Sequence, residues 1–249
     1  MREIEFTILE NKPITDDICK MVLECSAGEH GITAPGQFIN IKIDGLFLRR
    51  PISICDWTET TVTVIYKVVG KGTELLKTYE PGRQLNALSA LGNGFAPARA
   101  GQRPLLIGGG VGVPPLYGLC RNLIEAGARP TVILGFNTER EVFYKEEFEK
   151  LGAEVLVATA DGSMGQKGFV TDVLRNIKEP ATFFYTCGPE PMLKALDEAL
   201  AEGLEGEMSF EERMGCGFGA CMGCSCETRY GAKRICKDGP VLERSEILW

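Results

Sequence analysis

Five of the ten cysteines in this 249-residue chain crowd into residues 216–236, as Cys216, Cys221, Cys224, Cys226 and Cys236. Four of them follow the spacing C-x4-C-x2-C, with Cys236 after eleven intervening residues. That is the plant-type ferredoxin pattern for a 2Fe–2S cluster. A loop wrapped round such a cluster must bring three thiolates together, and Gly215, Gly217, Gly219 and Gly223 permit the close backbone approach this needs. Backbone N–H groups of the loop can then donate to sulfur and tune the potential. The competing reading is a structural zinc site with four thiolates. Zinc sites usually pair two C-x2-C knuckles, and this run holds one. Cys226 breaks the pattern and is expected to be a non-ligand thiol.

Cys19, Cys25, Cys55, Cys120 and Cys187 are scattered singly and read as small core hydrophobes. A net charge of −7 with no run of Lys or Arg argues against a nucleic-acid partner, which needs clustered cations. The N-terminal MREIEFTILENKP is acidic where a signal peptide carries an apolar core. No apolar stretch approaches the ~20 residues of a membrane span. The chain therefore reads as cytoplasmic.

Three sections follow one another. Residues 1–98 are all-β in pattern, with alternating runs such as EIEFTILE, FINIKI and TVTVIYKVV between turn-formers, as in a small closed barrel. Within them GTELLKTYEPG predicts a short helix. Residues 99–208 alternate strands (RPLLIGGG, TVILGF, EVLVATA, TFFYTCG) with helices (PPLYGLCRNLIEAG, EVFYKEEFEKLG, TDVLRNI, PMLKALDEALAEG). That rhythm predicts a parallel sheet with helices on both faces, an architecture that binds nucleotides at its carboxyl edge. Residues 209–249 are Cys- and Gly-rich, with too few apolar side chains for their own core, so something besides hydrophobic burial must hold them.

Arg49-Arg50-Pro51-Ile52-Ser53-Ile54 falls on a barrel strand. An arginine there can pair with a pyrophosphate, and the serine can hydrogen-bond a flavin ring; a basic strand edge ending at a proline bulge is the alternative. Ile65-Tyr66-Lys67 ends another strand, and Gly72-Thr73 opens a helix whose N-terminus can face phosphate. The turn Gly108-Gly109-Gly110-Val111-Gly112-Val113 follows the first strand of the second section, and Cys187-Gly188-Pro189-Glu190-Pro191-Met192 follows the last. Neither is a G-x-G-x-x-G fingerprint. Each can admit a nucleotide, or serve only tight helix–sheet packing.

The single histidine, His30, sits in the polar stretch SAGEHGITAPG and is expected to be a solvated loop residue. No Ser/His/Asp or Cys/His triad can be built around it, so hydrolysis is excluded and no catalytic acid or base is assigned. Arg140 can meet a 2′-phosphate or simply start a helix; a packing role is expected of Trp249.

With RRPIS, IYK, GT, GGGVGV, CGPEPM and the four-cysteine run in this order, the chain resembles the ferredoxin-reductase-like flavoproteins, and among them the electron-transfer subunits of class 1B dihydroorotate dehydrogenase. The resemblance implies an FAD-binding barrel, an NAD-binding α/β domain and a small 2Fe–2S extension. It implies that Arg50, Pro51, Ile52, Ser53, Ile65, Tyr66, Lys67, Gly72 and Thr73 contact FAD, and that Cys216, Cys221, Cys224 and Cys236 ligate the cluster. For the nucleotide, the turns supply Gly109, Gly110, Gly112, Cys187 and Gly188. The implied partner is an FMN-containing subunit that oxidises dihydroorotate to orotate, in a heterotetramer of two subunits of each kind. Two other readings stand: an electron-transfer subunit of another NAD(P)H:ferredoxin-type or bifurcating oxidoreductase, and a zinc-stabilised nucleotide-binding module.

Overall fold

The computed structural model describes residues 1–249. Six strands close into an antiparallel barrel: β1 (Arg2–Pro13), β2 (Ile18–Glu24), β3 (Phe38–Ile41), β4 (Arg50–Trp57), β5 (Thr61–Lys67) and β6 (Gln84–Leu91), in the order β1-β2-β5-β4-β3-β6. The period of two in the sequence decides which way each side chain points. Ile4, Phe6 and Ile8 of β1, and Val62, Val64 and Tyr66 of β5, all enter one barrel core. The helix α1 (Lys71–Lys77) links β5 to β6, and Gly82 takes the left-handed turn after it at φ +87°.

The second section forms β7 (Pro104–Gly109), β8 (Thr131–Phe136), β9 (Glu154–Thr159), β10 (Gln166–Lys167), β11 (Phe183–Cys187) and β12 (Gly206–Ser209), joined by α2 (Pro114–Glu125), α3 (Lys145–Leu151), α4 (Val170–Leu174) and α5 (Glu190–Ala199). These strands pair in parallel in the order β10-β9-β8-β7-β11-β12. Helix α3 starts four residues later than the pattern EVFYKEEFEKLG suggests. Phe143 and Tyr144 are spent on packing instead: Phe143 meets Phe136 edge-on, and Tyr144, at φ +65°, meets Tyr117 edge-on at 5.0 Å.

The two sections share a continuous core, in which Ile18, Cys55 and Ile65 from the barrel pack with Leu106, Val113 and Leu116. Gly118 of α2 lies so close to β4 that a Cβ would stand 3.0 Å from the Cys55 carbonyl. Arg121 of the same helix reaches Asp56 at 2.7 Å. Of the scattered cysteines, Cys19, Cys25, Cys55 and Cys120 are buried.

The tail adds a hairpin, β13 (Ser225–Thr228) and β14 (Gly231–Arg234), and then β15 (Val241–Glu243), which pairs antiparallel with β12. It has no core of its own and borrows one: Cys224, Ile235, Cys236, Leu242 and Ile247 share a cluster with Phe38 and Leu91 of the barrel and Phe184 of β11. Hydrophobic burial thus contributes more to holding the tail than its composition suggests. Polar clasps add to it. Asn93 donates from Nδ2 to the Val241 carbonyl at 2.7 Å and accepts the Val241 N–H at 3.1 Å. Arg244 binds Asp197 and the carbonyls of Ala201 and Leu204. No helix of the structure is long and apolar enough to cross a membrane.

Candidate functional site

The cysteine loop is shaped by its glycines. Gly217 and Gly219 adopt φ +78° and +90°, and Met222, without glycine's freedom, adopts φ +60°. This folding aims the N–H groups of Phe218, Ala220 and Cys221 at Cys216 Sγ, at 3.5, 3.3 and 3.5 Å. Burial pushes the Cys216 thiol up, but the N–H groups of Phe218 and Cys221 outweigh it and draw the thiol down to about 6. A loop that favours the thiolate is one that favours a metal. On the inner side the Cys236 N–H donates to Cys224 Sγ at 3.4 Å. Backbone N–H contacts to sulfur link the cysteines two by two, Cys216 with Cys221 and Cys224 with Cys236. No three Cys, His, Asp or Glu side chains gather at single-ion distances. Two pairs of thiols suit a two-iron cluster, which has four cysteine ligands. Cys221 is exposed, whereas Cys224 and Cys236 are buried. Cys226 lies on β13, outside both pairs, where its side chain lines a neighbouring cleft.

That cleft measures about 1110 Å³ and is walled by all three sections: Arg50 and Pro51 from β4, Gly188 and Pro189 from the turn after β11, and Phe210, Met214 and Trp249 from the tail. It lies at the large end for a small-molecule pocket, as a dinucleotide needs. The Arg50 guanidinium lies on Gly72, where a Cβ would stand 2.4 Å from Nε. The RRPIS strand and the Gly72-Thr73 turn therefore meet. Ile52 and Ser53 are half-buried beside them. Thr73 Oγ1 accepts the N–H groups of Val69 and Gly70, so the hydroxyl organises the turn. Tyr66 points into the barrel, its hydroxyl donating to Asn11 at 2.9 Å, and Ile65 is buried against the α/β section. Lys67 pairs with Asp17 at 3.0 Å.

The two Gly-rich turns pack on each other at the carboxyl edge of the sheet. A Cβ on Gly112 would stand 2.1 Å from the Cys187 carbonyl oxygen, and one on Gly109 would stand 2.5 Å from Met192 Sδ. Gly110, at φ +51°, faces open space. The packing role of these turns is therefore real at Gly109 and Gly112, and only Gly110 is left facing outward. Cys187 is half-buried, with burial pushing its thiol up to about 12.

Contrary to the expectation of a solvated loop residue, His30 is buried: Nδ1 accepts the Ile32 N–H at 3.1 Å and Nε2 lies 2.9 Å from the Thr58 carbonyl. Arg140 sits on an exposed single turn. Trp249 both packs and binds, tilted against Phe210 and donating from Nε1 to Asp197 at 2.7 Å. Sequence reasoning missed Asn40 and Asn93, whose partners lie in the tail.

Comparison with known proteins bears on the same two regions. The iron-sulfur cluster binding domain of dihydroorotate dehydrogenase B matches residues 211–248, and the oxidoreductase NAD-binding domain matches residues 106–198. The electron transfer subunit of dihydroorotate dehydrogenase B (NAD(+)) from Geobacillus sp. is 44% identical over 100% of this chain and 99% of its own length. The chain belongs to this family. A second member, from Fusobacterium nucleatum, is 43% identical over 99% of each chain. Among solved structures, the NADH-dependent reduced ferredoxin-NADP oxidoreductase, studied for flavin-based electron bifurcation, superposes with a TM-score of 0.88 at 29% identity, covering 98% of this chain and 90% of that one. Flavohemoglobin from Malassezia yamatoensis, with bound FAD and heme, shares the fold at a TM-score of 0.71 and 21% identity, over 82% of this chain and 58% of that one. Membership of the dihydroorotate dehydrogenase B family decides the cysteine run for iron and sulfur over zinc.

Proposed function

We propose that the chain channels electrons between an FMN-containing catalytic subunit, which oxidises dihydroorotate to orotate, and NAD+, within a heterotetramer of two subunits of each kind. The observation that carries this reading is the convergence of the Arg50–Pro51 strand, the Gly188–Pro189 turn and the cysteine tail on one cleft. FAD, a 2Fe–2S cluster and NAD supply the redox chemistry: the nucleotide exchanges electron pairs as hydride, iron exchanges single electrons, and flavin can do either.

The chain's own residues bind and orient. Arg50, held on a rigid strand, offers a fixed cation to a pyrophosphate. Ser53 offers a hydroxyl, and the Ile65–Lys67 segment offers main chain, since Tyr66 is turned inward. Of the stacked turns, Gly110 leaves backbone open to the nucleotide and Gly188 lines the cleft beside it. Phe210 and Trp249 screen the tail side of the cleft from water. Cys216, Cys221, Cys224 and Cys236 hold the cluster, and Cys226 remains a free thiol. We divide the chain into the flavin barrel (1–98), the nucleotide domain (99–208) and the cluster segment (209–249). The exposed Cys221, flanked by Phe218 and Met222, both also exposed, supports docking of the partner there. Ten cysteines with no disulfide among them suit a reducing, cytoplasmic compartment.

Anaerobic purification followed by a visible spectrum before and after NADH tests the reading. Flavin bands with a broad iron–sulfur shoulder, both bleaching on NADH, support it. A colourless protein with stoichiometric zinc refutes it.

A further inference from the structure

The cysteine loop does not float on the surface; it rests on one strand of the barrel. Residues of β3 alternate, so that Ile39 and Ile41 enter the barrel core while Phe38 packs in the cluster that contains Cys224 and Cys236. Asn40 shares the outward side with Phe38. It is 1% exposed, and its Nδ2 donates to the Cys216 carbonyl at 3.4 Å. Gly217, buried at φ +78°, lies against the same carboxamide: a Cβ there would stand 2.2 Å from Asn40 Nδ2. Any side chain at 217 would push the loop off the strand.

Packing alone does not account for an asparagine here. Its Oδ1 is buried without a hydrogen-bond partner, which is destabilising. A leucine, of the same branched outline though larger, would strand no polar atom there. What the carboxamide adds is a donor aimed at the first peptide of the cysteine loop. Strand pairing places this donor with care: Asn40 stands opposite Pro51 and Phe38 opposite Ser53. The loop is thus seated one strand away from the β4 residues that wall the cleft.

We infer that Asn40 is a positioning residue for the iron–sulfur site, holding the Cys216–Gly217 peptide so that the loop N–H groups converge on Cys216 Sγ and make the site easier to reduce. The inference rests on the reading of the four cysteines as cluster ligands. Its physics is electrostatic. An electron passing between the partner subunit and NAD+ would reside on the iron–sulfur site singly, and that site would then be one charge more negative. N–H groups pointing at a ligand sulfur stabilise the added charge, and hydrogen bonding to sulfur is a main determinant of cluster potential. Without the Asn40 donor the peptide is free to turn, the N–H groups of Phe218, Ala220 and Cys221 retreat, and the potential falls.

The test uses the complete complex carrying Asn40→Leu, Asn40→Asp or Asn40→His, with iron and flavin content measured for each. A redox titration followed by the cluster's paramagnetic resonance signal gives the midpoint. For Asn40→Leu we expect wild-type iron and flavin content and a midpoint lowered by a tenfold change in the one-electron equilibrium, about 59 mV. Asn40→Asp, lacking the donor and adding charge, should fall at least as far, and Asn40→His, which keeps an N–H, should recover part of the shift. A loaded Asn40→Leu with an unchanged midpoint overturns the inference. If Asn40→Leu fails to hold iron, equal midpoints for Asn40→Asp and Asn40→His overturn it instead. Wild type without iron overturns the reading of the cysteines, and the inference with it.

Discussion

Replacing Asn93 by alanine should release the tail from the barrel without unfolding either. Asn93 forms a closed pair with Val241, giving Nδ2 to its carbonyl at 2.7 Å and receiving its N–H at 3.1 Å. Val241 is 5% exposed, so water does not readily replace what alanine removes. Each orphaned backbone group costs about 1–3 kcal/mol when fully buried. Val241 keeps part of its packing and β15 keeps its pairing with β12, so the two groups together should cost about 2–4 kcal/mol. The main-chain bond from Asn93 N–H to Gly239 survives and keeps the estimate at the lower end. At 1.4 kcal/mol per factor of ten, tail opening should rise roughly 30- to 700-fold. Hydrogen exchange across residues 235–249 reads that opening directly, with the strands of the barrel as internal reference. Asn93→Asp, which keeps the acceptor and loses the donor, should fall between. Exchange rates in the tail that match wild type in Asn93→Ala would refute the reasoning, and so would equal acceleration across the whole chain.

Gly112→Ala should cost 1–3 kcal/mol or more, because its Cβ meets backbone at 2.1 Å, and should raise the KM for NADH about tenfold as the two turns separate; an unchanged melt and KM would sink this. Gly110→Ala meets no atom and should cost about 1 kcal/mol, from its positive φ alone. Burial pushes the Glu207 carboxyl above its ordinary 4.5, so between 4.5 and the raised value the folded state keeps a proton that the unfolded chain has lost, and stability falls as pH rises through that window. Glu207→Gln should therefore be more stable than wild type at pH 7 in a denaturant titration, and the gain should fade as pH drops to 4.5; a loss at pH 7 contradicts this. Cys226→Ser should leave iron content and cluster absorbance unchanged, whereas Cys224→Ser should diminish both; loss of absorbance in Cys226→Ser would return that residue to the ligand set.

The parts legible in the sequence were those carried by local pattern. The alternation of Ile4, Phe6 and Ile8 fixes which side of β1 faces the barrel core, and the strand–helix rhythm after residue 99 fixes the parallel sheet. The cysteine spacing reports a loop closed within a few residues. What escaped were contacts between residues far apart in the chain. Asn40 meets Cys216 across 176 positions and Asn93 meets Val241 across 148; the alternation of FINIKI marks Asn40 only as outward-facing, and Asn93 lies outside any periodic run. His30 looked solvated because its neighbours are polar, yet Thr58 and Ile32 satisfy both its nitrogens. The late start of α3 is partly of this kind: helix propensity at Tyr144 yields to packing against Tyr117, 27 positions away, and Phe143 turns to the nearer Phe136.

The short strand β15 has a consequence for how the chain survives its own synthesis. Until residues 241–243 emerge, β12 presents a row of unpaired N–H and carbonyl groups along the border of a nearly finished sheet. Such a border is a template for another chain, and proteins ordinarily blunt it with charge, proline or a covering segment. Here the cover comes last, from the same tail that carries the four cysteines. The cysteines and the cover both arrive late in synthesis, the cysteines first. A chain stopped before Val241 would keep all four cysteines but lose the strand that guards its sheet.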